Sequence, residues 1–95
     1  MPVYVIALIE ITDRERYKIY EAGFMDIFSQ HQGKMLAVDD NGQTLEGAWD
    51  HSRTVLIEFP DHDALQRWYR SDAYQQLMEH RLAASIANIG VVQAL

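Results

Sequence analysis

Arg81 is the first residue of this 95-residue sequence whose type and position suggest chemistry. It falls inside an apolar stripe made by Tyr74, Leu77, Met78 and Leu82 at helical spacing, where a leucine is the usual occupant. A guanidinium keeps its proton in proteins, so a buried one calls for a carboxylate of the chain or an anionic ligand. Glu10, Glu46 and Glu58 are the acids on predicted strands that could pair with it. A snorkelling side chain is a further reading. If no carboxylate of the chain pairs with it, Arg81 anchors a carboxylate-bearing small molecule, for which its planar fork is better shaped than a lysine ammonium.

Glu46 precedes Gly47, a place where the backbone can bend or approach another group closely. Desolvated, its carboxylate would gain the pKa of a general base; beside an arginine it would lose it and become half of an ion pair. His31 extends the stripe of Tyr17, Tyr20, Phe24 and Ile27. It could take a proton from a substrate lying between helix and sheet, ligate haem iron, or simply favour a helix C-terminus as an imidazolium. Tyr17, Tyr20, Trp68, Tyr69 and Tyr74 are aromatic residues at helical spacing. Such residues build cores, yet their polar tips could also line a cleft suited to a flat organic acid.

Other chemistries find little footing. There is no cysteine, which removes disulfides, thiolate nucleophiles and thiolate metal sites, and fits a cytoplasmic protein. No two histidines stand at i, i+4, and no metal is expected. The "DDNG" stretch at residues 39 to 42 resembles part of a calcium loop without its final ligand, and a turn accounts for it better. No phosphate-cradling loop or serine nucleophile motif is present. With 14 acidic against 8 basic residues and a formal charge of −6, nucleic acid is not an expected partner. The apolar "MPVYVIALIEI" is too short to span a bilayer and carries a glutamate, so no membrane partner is expected either.

The elements that must position these residues follow from periodicity. A hydrophobic fraction of 48% and a charged fraction of 23% are globular values, and the length suits a single domain over residues 1–95. Residues 2 to 11 alternate as a strand that is apolar on both faces. Thr12 and Glu15 match a capping box, opening a helix that carries His31 and stops at Gly33. Met35 to Val38 reads as a strand, Asn41-Gly42 as its hairpin turn, and "QTLEGAW" as the returning arm. "TVLIEFP" is a further strand ended by Pro60. Asp61 opens a helix, Ser71-Asp72 breaks and restarts it, and "IANIGVVQAL" closes the pattern as a strand weakened by Gly90.

This order predicts an α+β, ferredoxin-like split βαβ fold, an antiparallel sheet with its helices on one face. Two helical segments cover one side of such a sheet, yet three strands are apolar on both. A twofold-related copy packing sheet to sheet, a dimeric α+β barrel, is the simplest cover, so a homodimer is expected.

"LEG" at 45 to 47, Arg53, "EFP" at 58 to 60, Trp68-Tyr69, Ser71, Tyr74 and Arg81 resemble the bacterial family called domain of unknown function 1330. That family belongs to the dimeric α+β barrel superfamily, which includes cofactor-free monooxygenases, lactone isomerases and haem enzymes. The resemblance implies the fold and leaves the chemistry unassigned. Two functional readings stand beside each other. In one, a small organic acid is bound or transformed without a cofactor, with Tyr20, Trp68, Tyr74 and Arg81 binding and His31 and Glu46 acting on it. In the other, the same residues are the core and ion pairs of a non-catalytic dimeric module.

Overall fold

The alternation of the first strand sets the layout of the computed structural model, which describes residues 1–95. In β1 (Val3–Ile11), Val3, Val5, Ala7 and Ile9 are buried while Tyr4, Ile6 and Leu8 on the other face are half-buried. A strand apolar on both faces belongs in the interior of a sheet. It pairs antiparallel with β3 (Arg53–Phe59) on one side and β4 (Ser85–Gln93) on the other. β2 (Lys34–Asp39) adds to β3, giving the order β2-β3-β1-β4 with every pairing antiparallel. This is the ferredoxin-like order.

Three helices lie between the strands: α1 (Arg14–Phe28), α2 (His62–Tyr69) and α3 (Asp72–Ala84). They cover the face that carries Val3, Val5, Ala7 and Ile9, together with Ile57 and Phe59 of β3. The opposite face carries Tyr4, Ile6, Leu8 and Leu56, with Val92 and Ile86 at its edge largely exposed, and no helix. No helix of the chain is long and apolar enough to cross a membrane.

The break at Ser71 is present as expected. Ser71 caps α3 by accepting from the Tyr74 amide at 3.2 Å, while its hydroxyl donates to the Trp68 carbonyl at 2.8 Å. One side chain thus closes α2 and opens α3, and so sets how Trp68 and Tyr74 face each other. Ser71→Ala is expected to cost about 1 kcal/mol. In a domain of this size that lowers the melting temperature by about 4–8 °C, measurable by circular dichroism.

Three local expectations are corrected. α1 is capped by Asp13, whose Oδ1 accepts from the Arg16 amide at 3.1 Å, and not by Thr12. The amides of Thr12 and Asp13 both donate to the Ala84 carbonyl, which ties this corner to the end of α3 and moves the helix start by one residue. At the other end α1 stops at Phe28 with Ser29 as its cap, so His31 lies in the following turn. Gly33 serves there as a close-approach residue: a β-carbon would collide with the Phe28 ring and come within 2.8 Å of the Phe59 ring.

The third correction concerns the hairpin. A two-residue turn at Asn41-Gly42 requires positive φ at both positions, and Gly47, at φ 74°, is the only residue that has one. The "QTLEGAW" stretch is instead part of a loop over residues 40–52. Its neck is fixed by the Asn41 amide donating to Asp39 Oδ1 at 2.8 Å and by Arg53 donating to both oxygens of Asp40, at 2.6 and 3.1 Å. Leu45 near its tip is 98% exposed.

Candidate functional site

α1 places Tyr17, Tyr20, Phe24 and Phe28 at helical spacing toward the sheet, and each ring meets the next at centroid distances of 5.1–5.7 Å. α2 brings Trp68 against this row, 5.6 Å from Phe28 and stacked at 5.5 Å on Phe59. α3 adds Tyr74, whose ring centroid is 4.3 Å from that of Trp68. The hydroxyls of Tyr20 and Tyr74 share a buried hydrogen bond of 2.7 Å. One tyrosine donates to the other, so one O–H of the pair is left to donate elsewhere.

Arg81, in the last turn of α3, is only 5% exposed. It forms no ion pair: the three salt bridges of the chain involve other residues. Its guanidinium carbon lies 5.9 Å from the Tyr20 ring centroid, a cation–π distance. Its Nε is sealed without an acceptor. The neighbouring Tyr74 favours the cation. Burial pulls the pKa of Arg81 down and the neighbouring Tyr74 and Tyr20 push it up by more, and a guanidinium in any case keeps its proton, so the side chain is charged. Burial, and next the neighbouring Tyr74, push the Tyr20 phenol well above its ordinary range. Tyr20 is therefore a neutral hydroxyl at every physiological pH.

These residues border a cavity of about 460 Å³ between helices and sheet, within the range that holds small organic molecules. Of its 21 lining residues 17 are hydrophobic, so most of any occupant would meet apolar surface. Val5, Ala7 and Ile9 of β1 form its floor, with Val55 and Ile57 of β3, Met35 of β2, and Ile89 and Val91 of β4 beside them. Tyr20, Trp68, Tyr74 and Arg81 come together here.

Glu46 and His31 do not. Glu46 is exposed in the 40–52 loop and His31 is half-exposed in the turn after α1, and neither borders the cavity. The carboxylates expected to meet Arg81 are elsewhere as well. Glu58 alternates with the buried Ile57 and Phe59, and Glu10 follows the buried Ile9, so the strand period directs both to the face without helices.

Two charged residues of the cavity wall, Arg53 and Glu21, had been given no part in a site from the sequence. Arg53 lies opposite Ile9 in the β1–β3 register and therefore on the helix side. It reaches Glu21 of α1 at 3.2 Å in addition to Asp40, and its guanidinium carbon is 5.4 Å from the Tyr17 ring centroid. Its hydrogen bonds hold the Asp40 carboxyl below its usual range, while burial raises the Tyr17 phenol. The i, i+4 spacing of Tyr17 and Glu21 was the available sign that Glu21 borders the same face; Arg53 could be placed only once strand pairing was known.

No protein of curated function matches the sequence. Among solved structures, a protein of unknown function from Rhodopseudomonas palustris superposes with a TM-score of 0.84 at 20% identity, covering 99% of this chain and 82% of that one. SnoaB, a cofactor-independent oxygenase from Streptomyces nogalater, gives 0.67 at 16% identity over 99% and 93% of the two chains. A dimeric ferredoxin-like protein of unknown function from Jannaschia sp. CCS1 gives 0.73 at 11% identity over 99% and 100%. At these identities the likeness is one of fold. The model of one sequence family, described as Domain of unknown function (DUF1330), matches residues 2–95.

Proposed function

We propose, from the premise that this chain belongs to the DUF1330 family, that it is a homodimeric protein which holds a small apolar acid in the cavity between helices and sheet. Arg81 meets the anion, the free hydroxyl of the Tyr20–Tyr74 pair donates to it, and Trp68 walls the apolar body. The observation that carries this reading is a buried arginine with no carboxylate to neutralise it. A fold gains nothing by burying a lone charge, so an anion from outside is its natural partner.

Binding is favoured over acid–base catalysis by the residues of the wall. Its only carboxylate, Glu21, is held by Arg53, and burial keeps the Tyr17 and Tyr20 phenols protonated, so none of these three is suited to take a proton. The apolar sheet face without helices supports the homodimer, as does the dimeric neighbour of the same fold.

Both halves are testable on freshly purified protein. Native mass spectrometry is expected to give a dimer at micromolar concentration, and a monomer would overturn the sheet-to-sheet arrangement. For the cavity, a biphenyl carboxylate titrated into a Trp49→Phe variant is expected to change the fluorescence of Trp68 saturably. No response, or an unchanged response in Arg81→Leu, would remove the anion site.

A further inference from the structure

Arg81 and Arg53 cap the two ends of one aromatic column. Arg53 lies over Tyr17 at 5.4 Å, Tyr17 meets Tyr20 at 5.5 Å, and Arg81 lies over Tyr20 at 5.9 Å. All four line the same cavity, yet the electrostatic state of its two ends is opposite. At the inner end Arg81 is a cation without a counter-charge. At the outer end Arg53 is already engaged by two carboxylates: two of its nitrogens donate to Asp40 and the third faces Glu21. Two carboxylates lie against the one guanidinium of Arg53 and make that rim acidic, with the Arg14 cation a smaller influence on Asp40. Glu21 is the one carboxylate that borders the cavity, and its side chain is 46% exposed.

We propose that the cavity is polarised from a cationic inner end to an acidic rim and so selects apolar acids with a single negative charge. The far end of the ligand is neutral or cationic, and Glu21 is the specificity-determining residue that turns a second anion away. This rests on the reading that Arg81 anchors the first anion. A second carboxylate at the rim would face Glu21 with Arg53 already occupied, a like-charge approach that costs affinity. An ammonium there would meet Glu21 and Asp40 favourably.

The test is a series on one rigid scaffold: biphenyl monocarboxylate, the dicarboxylate with its second group at the opposite end, and the monocarboxylate bearing an aminomethyl group there. Each is titrated into the Trp49→Phe protein with Trp68 fluorescence as the readout. The dicarboxylate is expected to bind about tenfold more weakly than the monocarboxylate at low ionic strength, and less so as salt screens the rim. The aminomethyl acid is expected to bind at least as tightly as the monocarboxylate. Glu21→Gln should shrink the penalty on the dicarboxylate to about twofold or less, because the repelling charge is gone and the Arg53 cation is then offset by Asp40 alone.

A dicarboxylate that binds the parent as tightly as the monocarboxylate overturns the polarised cavity, and an unchanged ratio in Glu21→Gln overturns the role of Glu21. In both cases the Arg81 anion site survives if monocarboxylate binding is lost in Arg81→Leu. Absence of binding by all three acids would instead remove the anion site, and the selectivity with it.

Discussion

Arg81→Leu is expected to leave the protein at least as stable as the parent while weakening binding of an apolar monocarboxylate by about a hundredfold or more. The two effects have one cause. Removing one member of a buried ion pair is strongly destabilising because the other is left as an unpaired charge, at about 3–5 kcal/mol. Here no carboxylate of the chain pairs with Arg81, so the substitution strands nothing. It also relieves an Nε that is sealed without an acceptor. What is lost is the cation–π contact with Tyr20, worth about 0.5–2 kcal/mol, set against the apolar contacts a leucine would gain in the same stripe. Binding loses a charge-assisted contact made inside an apolar cavity, and a loss of about 2–5 kcal/mol there spans the hundredfold expected. Denaturant unfolding and fluorescence titration on the same preparation decide it. A variant that melts well below the parent and still binds the acid would return Arg81 to a purely structural role.

Phe59→Ala should have the largest effect on stability of any single truncation in the helix-side core. Phe59 is 0% exposed and its ring stands 5.9 Å from Phe28 and 5.5 Å from Trp68, with Gly33 brought close enough that a β-carbon would touch it. These neighbours come from α1, α2 and the turn between α1 and β2, so little of the void can close by shifting one element. A loss of about 3–5 kcal/mol follows, a large share of the 5–15 kcal/mol that holds a typical domain. In urea the midpoint should fall sharply with an unchanged slope. Trp68, losing its stacked wall, should emit at longer wavelength. Leu45→Ala is the control: with Leu45 98% exposed, it should stay within about 0.5 kcal/mol of the parent. A loss under 1 kcal/mol for Phe59→Ala would mean that the aromatic layer is far more plastic than its packing implies.

The candidate site was legible in the sequence to the extent that helical spacing reaches. Tyr20, Trp68, Tyr74 and Arg81 stand on apolar stripes, and stripes of α1, α2 and α3 all turn to the one sheet face that helices cover, so these residues converge. His31 was placed on the α1 stripe because periodicity does not register where a helix frays, and the chain leaves the helix at Phe28. Glu46 was read beside a strand that does not form, since the paired positive φ values of a tight turn are absent and the chain crosses a longer loop instead.

By itself, then, the sequence determined the αβ order, the antiparallel ferredoxin-like sheet, the restart at Ser71 and the place of Arg81 on an apolar helical stripe. These depend on period, caps and breakers, which act over a few residues and can be read locally. Only the tertiary structure decided what Arg81 meets. The strand acids were plausible partners until the pairing register sent Glu10 and Glu58 to the other side of the sheet, and the same register brought Arg53 and Glu21 together at the cavity rim. Contacts between residues far apart in sequence are set by strand register and helix docking, and those are properties of the whole packed chain.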